Sequence, residues 1–116
     1  MEYEFKKKHD YNKRLIESTT IKNKYTDRIP IIVERYKNCD LPNIDKCKYL
    51  VPKDMCFGQF IYIIRKRIDI DSNQTLFVTV NGTLCSSTTT ISEIYDDHKD
   101  DDGFLYVVYT KENTFG

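Results

Sequence analysis

The segment Lys48–Ile68, "KYLVPKDMCFGQFIYIIRKRI", decides the fold because it joins a short extended run to the strongest apolar helix pattern of the chain. Its first five residues predict a strand that ends at Pro52, since proline lacks the N–H that a continued ladder requires. A helix opens at Asp54 or Cys56 and carries a wide apolar stripe, formed by Met55, Phe57, Phe60, Ile61, Ile64 and Ile68. A short strand followed by such a helix predicts a sheet with the helix packed across one face.

The sequence before this segment predicts two helices and a strand. Tyr11–Tyr25, "YNKRLIESTTIKNKY", has apolar residues at helical spacing, and a shorter helix precedes it within "EYEFKKKHD", anchored by Tyr3 and Phe5. The run "RIPIIVERY" is rich in β-branched residues and predicts a strand, with Pro30 near its start.

The sequence after the segment predicts a hairpin, a helix and a final strand. In "TLFVTVNGTLC", Asn81-Gly82 lies between two β-rich runs and is typical of a type I′ turn. A short helix, "ISEIYDDH", an acidic loop and the strand "FLYVVYT" follow. The element order therefore predicts an α+β fold in which a long helix crosses a mixed four-stranded sheet, preceded by two N-terminal helices.

Composition bounds the class of protein. The chain has 116 residues, 40% of them hydrophobic and 31% charged, which predicts one globular domain. No run reaches the roughly 18 apolar residues of a membrane span, and no signal-peptide pattern opens the chain, so we expect a cytoplasmic protein.

Charge is unevenly distributed although the formal net charge is zero. Residues 1–67 hold 16 Lys and Arg against 9 Asp and Glu, whereas residues 68–116 hold 2 against 9. Partial cancellation between the halves explains some of this pattern, and a basic face for acidic peptides or anionic lipids explains the rest. Overall neutrality and the lack of a binding motif argue against nucleic acid.

Cysteine and histidine usage argues against a metal site or a cofactor. Cys39, Cys47, Cys56 and Cys85 form no C-x-x-C pair, and the chain has only two histidines. We interpret the cysteines as free thiols and predict no metal, no cofactor and no catalytic residue. An enzymatic role that depends on Cys56 or His98 is the least favoured alternative.

Three stretches together resemble a known family. "KYTDRIPIIVE", "KYLVPKDMCFGQFIYIIRKRI" and "DDGFLYVVY", together with a terminal Phe-Gly, are similar to the ubiquitin-like modifiers of autophagy, the autophagy-related protein eight family with its GABA-receptor-associated and light-chain-three branches. The resemblance implies one ubiquitin-like β-grasp domain over residues 1–116. It divides into a helical extension at 1–25, a β-grasp core at 28–110 and a flexible conjugation tail at 111–116.

The resemblance also implies a function at the C-terminus. A processing cysteine protease would expose Gly116, and activating and conjugating enzymes would join its carboxyl group to phosphatidylethanolamine. The protein would then sit on autophagosomal or other vesicle membranes. It would be the substrate of these enzymes and have no activity of its own.

The same resemblance implies a docking site for cargo receptors that carry a short aromatic-x-x-aliphatic motif. Such a motif would add to the strand Lys48–Pro52 as a further strand. One pocket would accept the aromatic side chain and consist of Glu17, Ile21, Pro30, Ile32, Lys48, Leu50 and Phe104. A second pocket would accept the aliphatic side chain and consist of Tyr49, Val51, Pro52, Met55, Phe60, Ile63 and Ile64. Acidic residues flanking the motif would contact Arg28, Lys46, Arg65 and Arg67.

Each of these assignments has a structural alternative. On burial statistics alone, Phe60 and Ile64 belong to the core of a small domain, and exposed lysines and arginines are usually solvated. A second functional hypothesis is an unconjugated docking module that binds motif peptides, or microtubules through its basic N-terminal helices.

Overall fold

In the computed structural model, which describes residues 2–111, four helices and five strands follow one another in chain order. The helices are α1 (Glu4–Lys8), α2 (Tyr11–Lys24), α3 (Phe57–Ile68) and α4 (Ile91–His98). The strands are β1 (Arg28–Arg35), β2 (Lys48–Pro52), β3 (Phe77–Val80), β4 (Thr83–Leu84) and β5 (Leu105–Thr110). None of the helices within residues 2–111 combines the length and apolarity needed to cross a bilayer.

The strands form one mixed sheet in the order β2-β1-β5-β3-β4. β1 runs antiparallel to β2 and parallel to β5, and β3 runs antiparallel to both β5 and β4. The α+β class and the mixed sheet agree with the sequence prediction. The predicted number of four strands was wrong, because Thr83 and Leu84 pair with Val80 and Thr79 after the turn and add a fifth, very short strand.

Local chemistry explains several boundaries. Asn81 and Gly82 have φ angles of 51° and 73°, the positive values that a type I′ turn requires at both positions. The Asp10 side chain accepts a hydrogen bond from the Lys13 N–H at 2.9 Å and so caps α2. Pro30 fits within β1 because the pairing of β1 with β5 starts only at Ile31.

The main core lies between α3 and one face of the sheet. Ile31 and Val33 of β1 meet Phe57, Phe60 and Ile64 of α3 there, all with no exposed surface. The opposite face carries a second, smaller cluster, made of Phe5, Ile32, Phe104 and Tyr106. The sheet is therefore a shared middle layer, and the N-terminal helices cover the face that α3 leaves open.

A buried ion pair attaches α2 to this second face. Arg14 Nη1 lies 3.0 Å from Oδ2 of Asp102, whose carboxylate has no solvent exposure and also accepts from the Tyr106 hydroxyl. Burial raises the pKa of Asp102, although the Tyr106 hydrogen bond partly offsets that effect. The next residue, Gly103, has φ +90°, and a Cβ there would lie 2.3 Å from Ser18 Oγ, so close packing of α2 requires glycine.

Candidate functional site

The outer edge of β2 has no strand beside it among residues 2–111. On the inner side, the Val33 N–H donates to Cys47 O at 2.8 Å, and the Lys53 N–H donates to Asp27 O at 3.0 Å. Antiparallel ladders alternate, so the backbone groups of Lys48 and Leu50 point away from β1. These two residues offer their N–H and C=O groups to an additional strand.

Two contacts limit the length of this open ladder. Pro52 has no N–H, and its carbonyl already accepts from the Met55 N–H at 3.2 Å. The Leu50 carbonyl receives a long hydrogen bond from Arg28 Nη1 at 3.5 Å, which a stronger backbone donor could replace. The edge therefore suits a short guest strand that spans a few residues.

Strand pairing assigns the side chains of β2 to the two faces of the sheet. Directly opposed residues share a face, and Leu50 and Lys48 lie opposite Pro30 and Ile32. Tyr49 lies opposite Ile31 and faces α3, and Val51 faces the same way because side chains alternate. A guest on this edge would thus lie between two separate hollows.

We call the hollow on the side of the N-terminal helices the aromatic hollow. Ile32 and Phe104, with 0% and 1% of their surfaces exposed, form its closed floor, which a guest contacts only if the side chains above it move apart, and Pro30 is buried beside them. Lys48 Nζ lies 2.8 Å from Glu17 Oε2, so an ion pair links β2 to α2 across its rim. The half-buried Ile21 follows Glu17 one helical turn later, on the same side of α2. The structure brings together the other six residues predicted for this pocket: Glu17, Pro30, Ile32, Lys48, Leu50 and Phe104.

We call the hollow on the side of α3 the aliphatic hollow. Its accessible residues are the half-buried Tyr49, Pro52, Met55 and Ile63. The remaining predicted residues belong to the core: Val51 is 4% exposed, and Phe60 and Ile64 are not exposed at all. They support the hollow from behind, and their side chains contact a guest only if the core rearranges. The Tyr49 ring packs edge-on against Phe60 at a centroid distance of 5.7 Å.

The Tyr49 hydroxyl is the one polar side-chain atom buried in the described residues without a hydrogen-bond partner. Burial raises the pKa of Tyr49 to about 12, so the hydroxyl is neutral at physiological pH. An unpartnered hydroxyl beneath a docking surface costs stability that a guest acceptor could recover.

Three of the four predicted basic residues lie near the edge strand. Arg28 reaches the Leu50 carbonyl, Lys46 Nζ lies 5.1 Å from the centre of the Tyr49 ring, and Arg67 Nε lies 2.9 Å from Asp45 Oδ1. Arg65 points away from the other three, and its predicted contact with acidic residues of a guest stays a prediction. Arg65 and Arg67 are two positions apart on α3, so their side chains point about 200° apart around the helix axis. Arg65 Nη1 donates instead to Gln74 O at 2.8 Å.

Gly116, the predicted conjugation residue, lies outside the described residues, as does most of the predicted tail at 111–116. Within the described residues, no cluster of three or more His, Cys, Asp or Glu is arranged to hold a metal ion.

Sequence reasoning missed two residues that support the aromatic hollow, Phe5 and Glu34. Phe5 packs edge-on against Phe104 at 5.3 Å between ring centres. Glu34 of β1 accepts hydrogen bonds from the first N–H groups of α1. The sequence marked Phe5 only as an apolar anchor, and no local signal distinguished the half-buried Glu34 from the other glutamates.

Comparison with known proteins agrees with this architecture. The family model described as "Autophagy protein Atg8 ubiquitin like" matches residues 13–116. Autophagy-related protein 8c of Arabidopsis thaliana is 54% identical over 112 residues, covering 97% of this chain and 94% of that protein. Autophagy-related protein 8 of Scheffersomyces stipitis is 51% identical over 116 residues, covering 100% of this chain and 84% of that protein.

Among solved structures, the crystal structure of Trypanosoma brucei ATG8 matches with a TM-score of 0.91 and 38% identity, covering all of both chains. This similarity confirms the predicted ubiquitin-like fold, and the homologues confirm the family resemblance. The chain belongs to the Atg8 family of ubiquitin-like autophagy proteins.

Proposed function

We propose that this protein is a modifier that becomes attached through Gly116 to phosphatidylethanolamine and recruits cargo receptors to autophagosomal or related vesicle membranes. The observation that carries the proposal is the outer edge of β2, which no strand among residues 2–111 occupies and which lies between the aromatic and the aliphatic hollow. A peptide with an aromatic-x-x-aliphatic motif can add there as a strand and place one anchor in each hollow.

The expected strength of this contact suits reversible recruitment. Two buried anchors contribute about 1.5–3 kcal/mol each, and a few backbone hydrogen bonds contribute about 1 kcal/mol each. The cost of ordering the peptide offsets much of this gain. The remaining binding free energy is about −8 kcal/mol, which corresponds to a Kd near the micromolar range. Many copies anchored on one membrane would then capture clustered cargo by multivalency.

Conjugation explains how a chain of this kind can act on a membrane. The carboxyl group of Gly116 would be activated as an acyl-adenylate, pass through enzyme thioesters and form an amide with the lipid amine. Two acyl chains then anchor the protein stably, since each buried CH₂ contributes about 0.8 kcal/mol. The partners are therefore a processing cysteine protease, activating and conjugating enzymes, the lipid and motif-bearing receptors, and the protein itself needs no catalytic site. Its unconjugated form would be cytoplasmic.

The alternative is an unconjugated docking module that binds peptides or microtubules. Its basic N-terminal helices have fewer available cations than their composition implies. Lys6 pairs with Asp100 at 2.6 Å, and Arg14 pairs with Asp102. These internal pairs favour a structural role for part of the basic N-terminal charge.

Reconstitution tests the proposal. The wild-type chain is incubated with the family's activating and conjugating enzymes, ATP and liposomes that contain phosphatidylethanolamine. We expect a gel-mobility shift and liposome flotation, both lost in Gly116→Ala. An unmodified wild-type chain would favour the docking module instead.

Calorimetry tests the peptide site independently. The probe is a synthetic peptide in which three acidic residues precede Trp-x-x-Leu. We expect Leu50→Ala to weaken binding about tenfold, because it removes an anchor contact at the edge, and Gly116→Ala to bind normally. Equal affinity of Leu50→Ala and the wild type would argue against docking on β2.

A further inference from the structure

Phe5 connects the first helix to the aromatic hollow. It is 4% exposed and shares one cluster with Ile32 and Phe104, the two residues of the hollow's floor. Its ring contacts Phe104 edge-on at 5.3 Å, and Lys48 Nζ lies 5.4 Å from the centre of the same ring. Phe5 therefore contacts the floor from behind and also one residue of the rim.

The position of Phe5 depends on Glu34. Oε1 of Glu34 accepts from the Glu4 N–H at 2.8 Å, and Oε2 accepts from the Phe5 N–H at 2.9 Å. Both donors belong to the first turn of α1, where backbone N–H groups have no partner within the helix. One carboxylate on β1 therefore holds the start of α1 against the sheet.

The helix α1 cannot hold this position by itself. It has five residues, which is far below the roughly 12–15 that an isolated helix needs for marginal stability. Besides Glu34, its anchors are the Lys6–Asp100 ion pair at 2.6 Å and the packing of the Tyr3 ring on Tyr106 at 4.6 Å. Loss of one anchor should therefore affect how firmly Phe5 supports the hollow.

On the basis of the proposed function, we propose that Phe5 is a positioning residue for peptide recognition, held by Glu34, and that it sets which aromatic side chain the hollow accepts. With Phe5 in place, the Phe104 ring is fixed and the depth of the hollow is constant. Without it, Phe104 can move into the vacated space. An indole ring can use the added depth, whereas a phenyl ring loses contact with the floor.

Calorimetry with two peptides tests this inference. They differ only in the first motif position, Trp-x-x-Leu or Phe-x-x-Leu, and each is titrated into wild type and Phe5→Ala. We expect Phe5→Ala to weaken the Phe peptide about tenfold and the Trp peptide about threefold or less, since only the larger ring fills the added space. Phe5→Leu should give a smaller change in the same direction and serves if Phe5→Ala fails to fold.

The role of Glu34 is tested by a double-mutant cycle. In Glu34→Gln only one oxygen remains as acceptor for two N–H groups, so it should change selectivity in the same direction as Phe5→Ala. The double variant should differ little from Phe5→Ala alone, because both changes act through one contact. Lys7→Ala is the matched control on the same helix, since Lys7 pairs with its sequence neighbours Glu2 and Glu4 and its side chain is 47% exposed.

The outcomes separate this inference from the proposed function. If Phe5→Ala weakens both peptides equally, or if the effects of Phe5→Ala and Glu34→Gln simply add, Phe5 has no positioning role while peptide docking stands. If the wild type binds neither peptide, the docking proposal fails and this inference fails with it.

Discussion

The two hollows beside β2 are built in different ways. The residues of the aliphatic hollow come from one continuous segment, Tyr49–Ile64, in which a strand, a short turn and the first turns of α3 follow each other. The aromatic hollow combines residues from α2, β1, β2 and the loop residue just before β5, Phe104, with α1 behind them. Local sequence can specify the first hollow, whereas the second exists only after distant elements have assembled.

The forces that hold the two hollows also differ. The aliphatic hollow is backed by the main apolar core through Phe60 and Ile64. The aromatic hollow depends more on polar contacts, namely Lys48–Glu17, Arg14–Asp102 and the Glu34 carboxylate. We therefore expect the first hollow to resist changes of salt and pH, and the second to respond to them.

The largest effect on stability should come from the core residues that support the aliphatic hollow from behind. Phe60 has no exposed surface and packs against Tyr49, so Phe60→Ala should lower the free energy of unfolding by about 3–5 kcal/mol. Urea denaturation measures the loss. Tyr62→Ala is the control, since Tyr62 lies on the same helix with 58% of its surface exposed. A small loss of stability for Phe60→Ala would mean that Phe60 is not part of the core.

The next largest effect should come from the polar support of the aromatic hollow. Arg14→Ala leaves the buried Asp102 carboxylate without its cation and should cost about 3 kcal/mol, at the low end for buried pairs because the Arg14 side chain keeps 10% exposure. Urea denaturation of the wild type and of Arg14→Ala at several pH values measures this loss of stability.

The stability that Arg14→Ala loses relative to the wild type should become smaller as the pH falls. The pKa of Asp102 is raised above its ordinary 3.8 by burial, and removal of Arg14 should raise it further. An acid with a raised pKa binds its proton more tightly in the folded state, so Arg14→Ala gains stability as the pH falls through that pKa. The gap to the wild type should narrow in acid, and a gap independent of pH would argue against this electrostatic role.

A stabilising change is expected at Tyr49. Tyr49→Phe removes a buried hydroxyl that has no hydrogen-bond partner within residues 2–111 and keeps the ring contact with Phe60, so stability should rise by about 1 kcal/mol. Thermal unfolding detects this as a higher Tm. If Tyr49→Phe is destabilising, the hydroxyl has a partner in solution, and peptide affinity measured on the same variant would show whether a guest competes for it.

The smallest effect should come from the rim of the aromatic hollow. The Lys48–Glu17 pair is half exposed, so Lys48→Ala should cost less than about 1 kcal/mol. Thermal unfolding at low salt and at about 1 M salt measures this loss of stability. The loss should be smaller at about 1 M salt, because exposed charges are screened there. Lys53→Ala, an exposed lysine just beyond β2, is the control, and a loss that persists at high salt would point to packing rather than charge.

Much of the fold was predictable because its signals are local. The apolar stripe on α3, the short strand before it and the Asn81-Gly82 turn all lie within a few residues of the structure they specify. The sequence predicted the hairpin at Asn81-Gly82, but the count of four strands left out its second arm, β4, which has only two residues, both exposed.

The docking edge was predictable in part. Alternation along Lys48–Pro52 assigns its side chains to two faces, but periodicity does not say how deeply a residue is buried. The resemblance placed Phe60 and Ile64 in the lining, whereas burial statistics placed them in the core, where the structure has them. The resemblance also grouped Arg65 with Arg67, but the two side chains point in different directions because positions i and i+2 of a helix do not share a face.

The sequence by itself determined the helices and strands, the family and the edge character of β2, since each depends on local propensity or on a continuous motif. Only the tertiary structure decided which distant groups meet: Phe5 behind Phe104, Glu34 at the first turn of α1, and Arg14 at Asp102. Such contacts join residues with no regular spacing along the chain, and they form only when burial of the sheet brings those residues together.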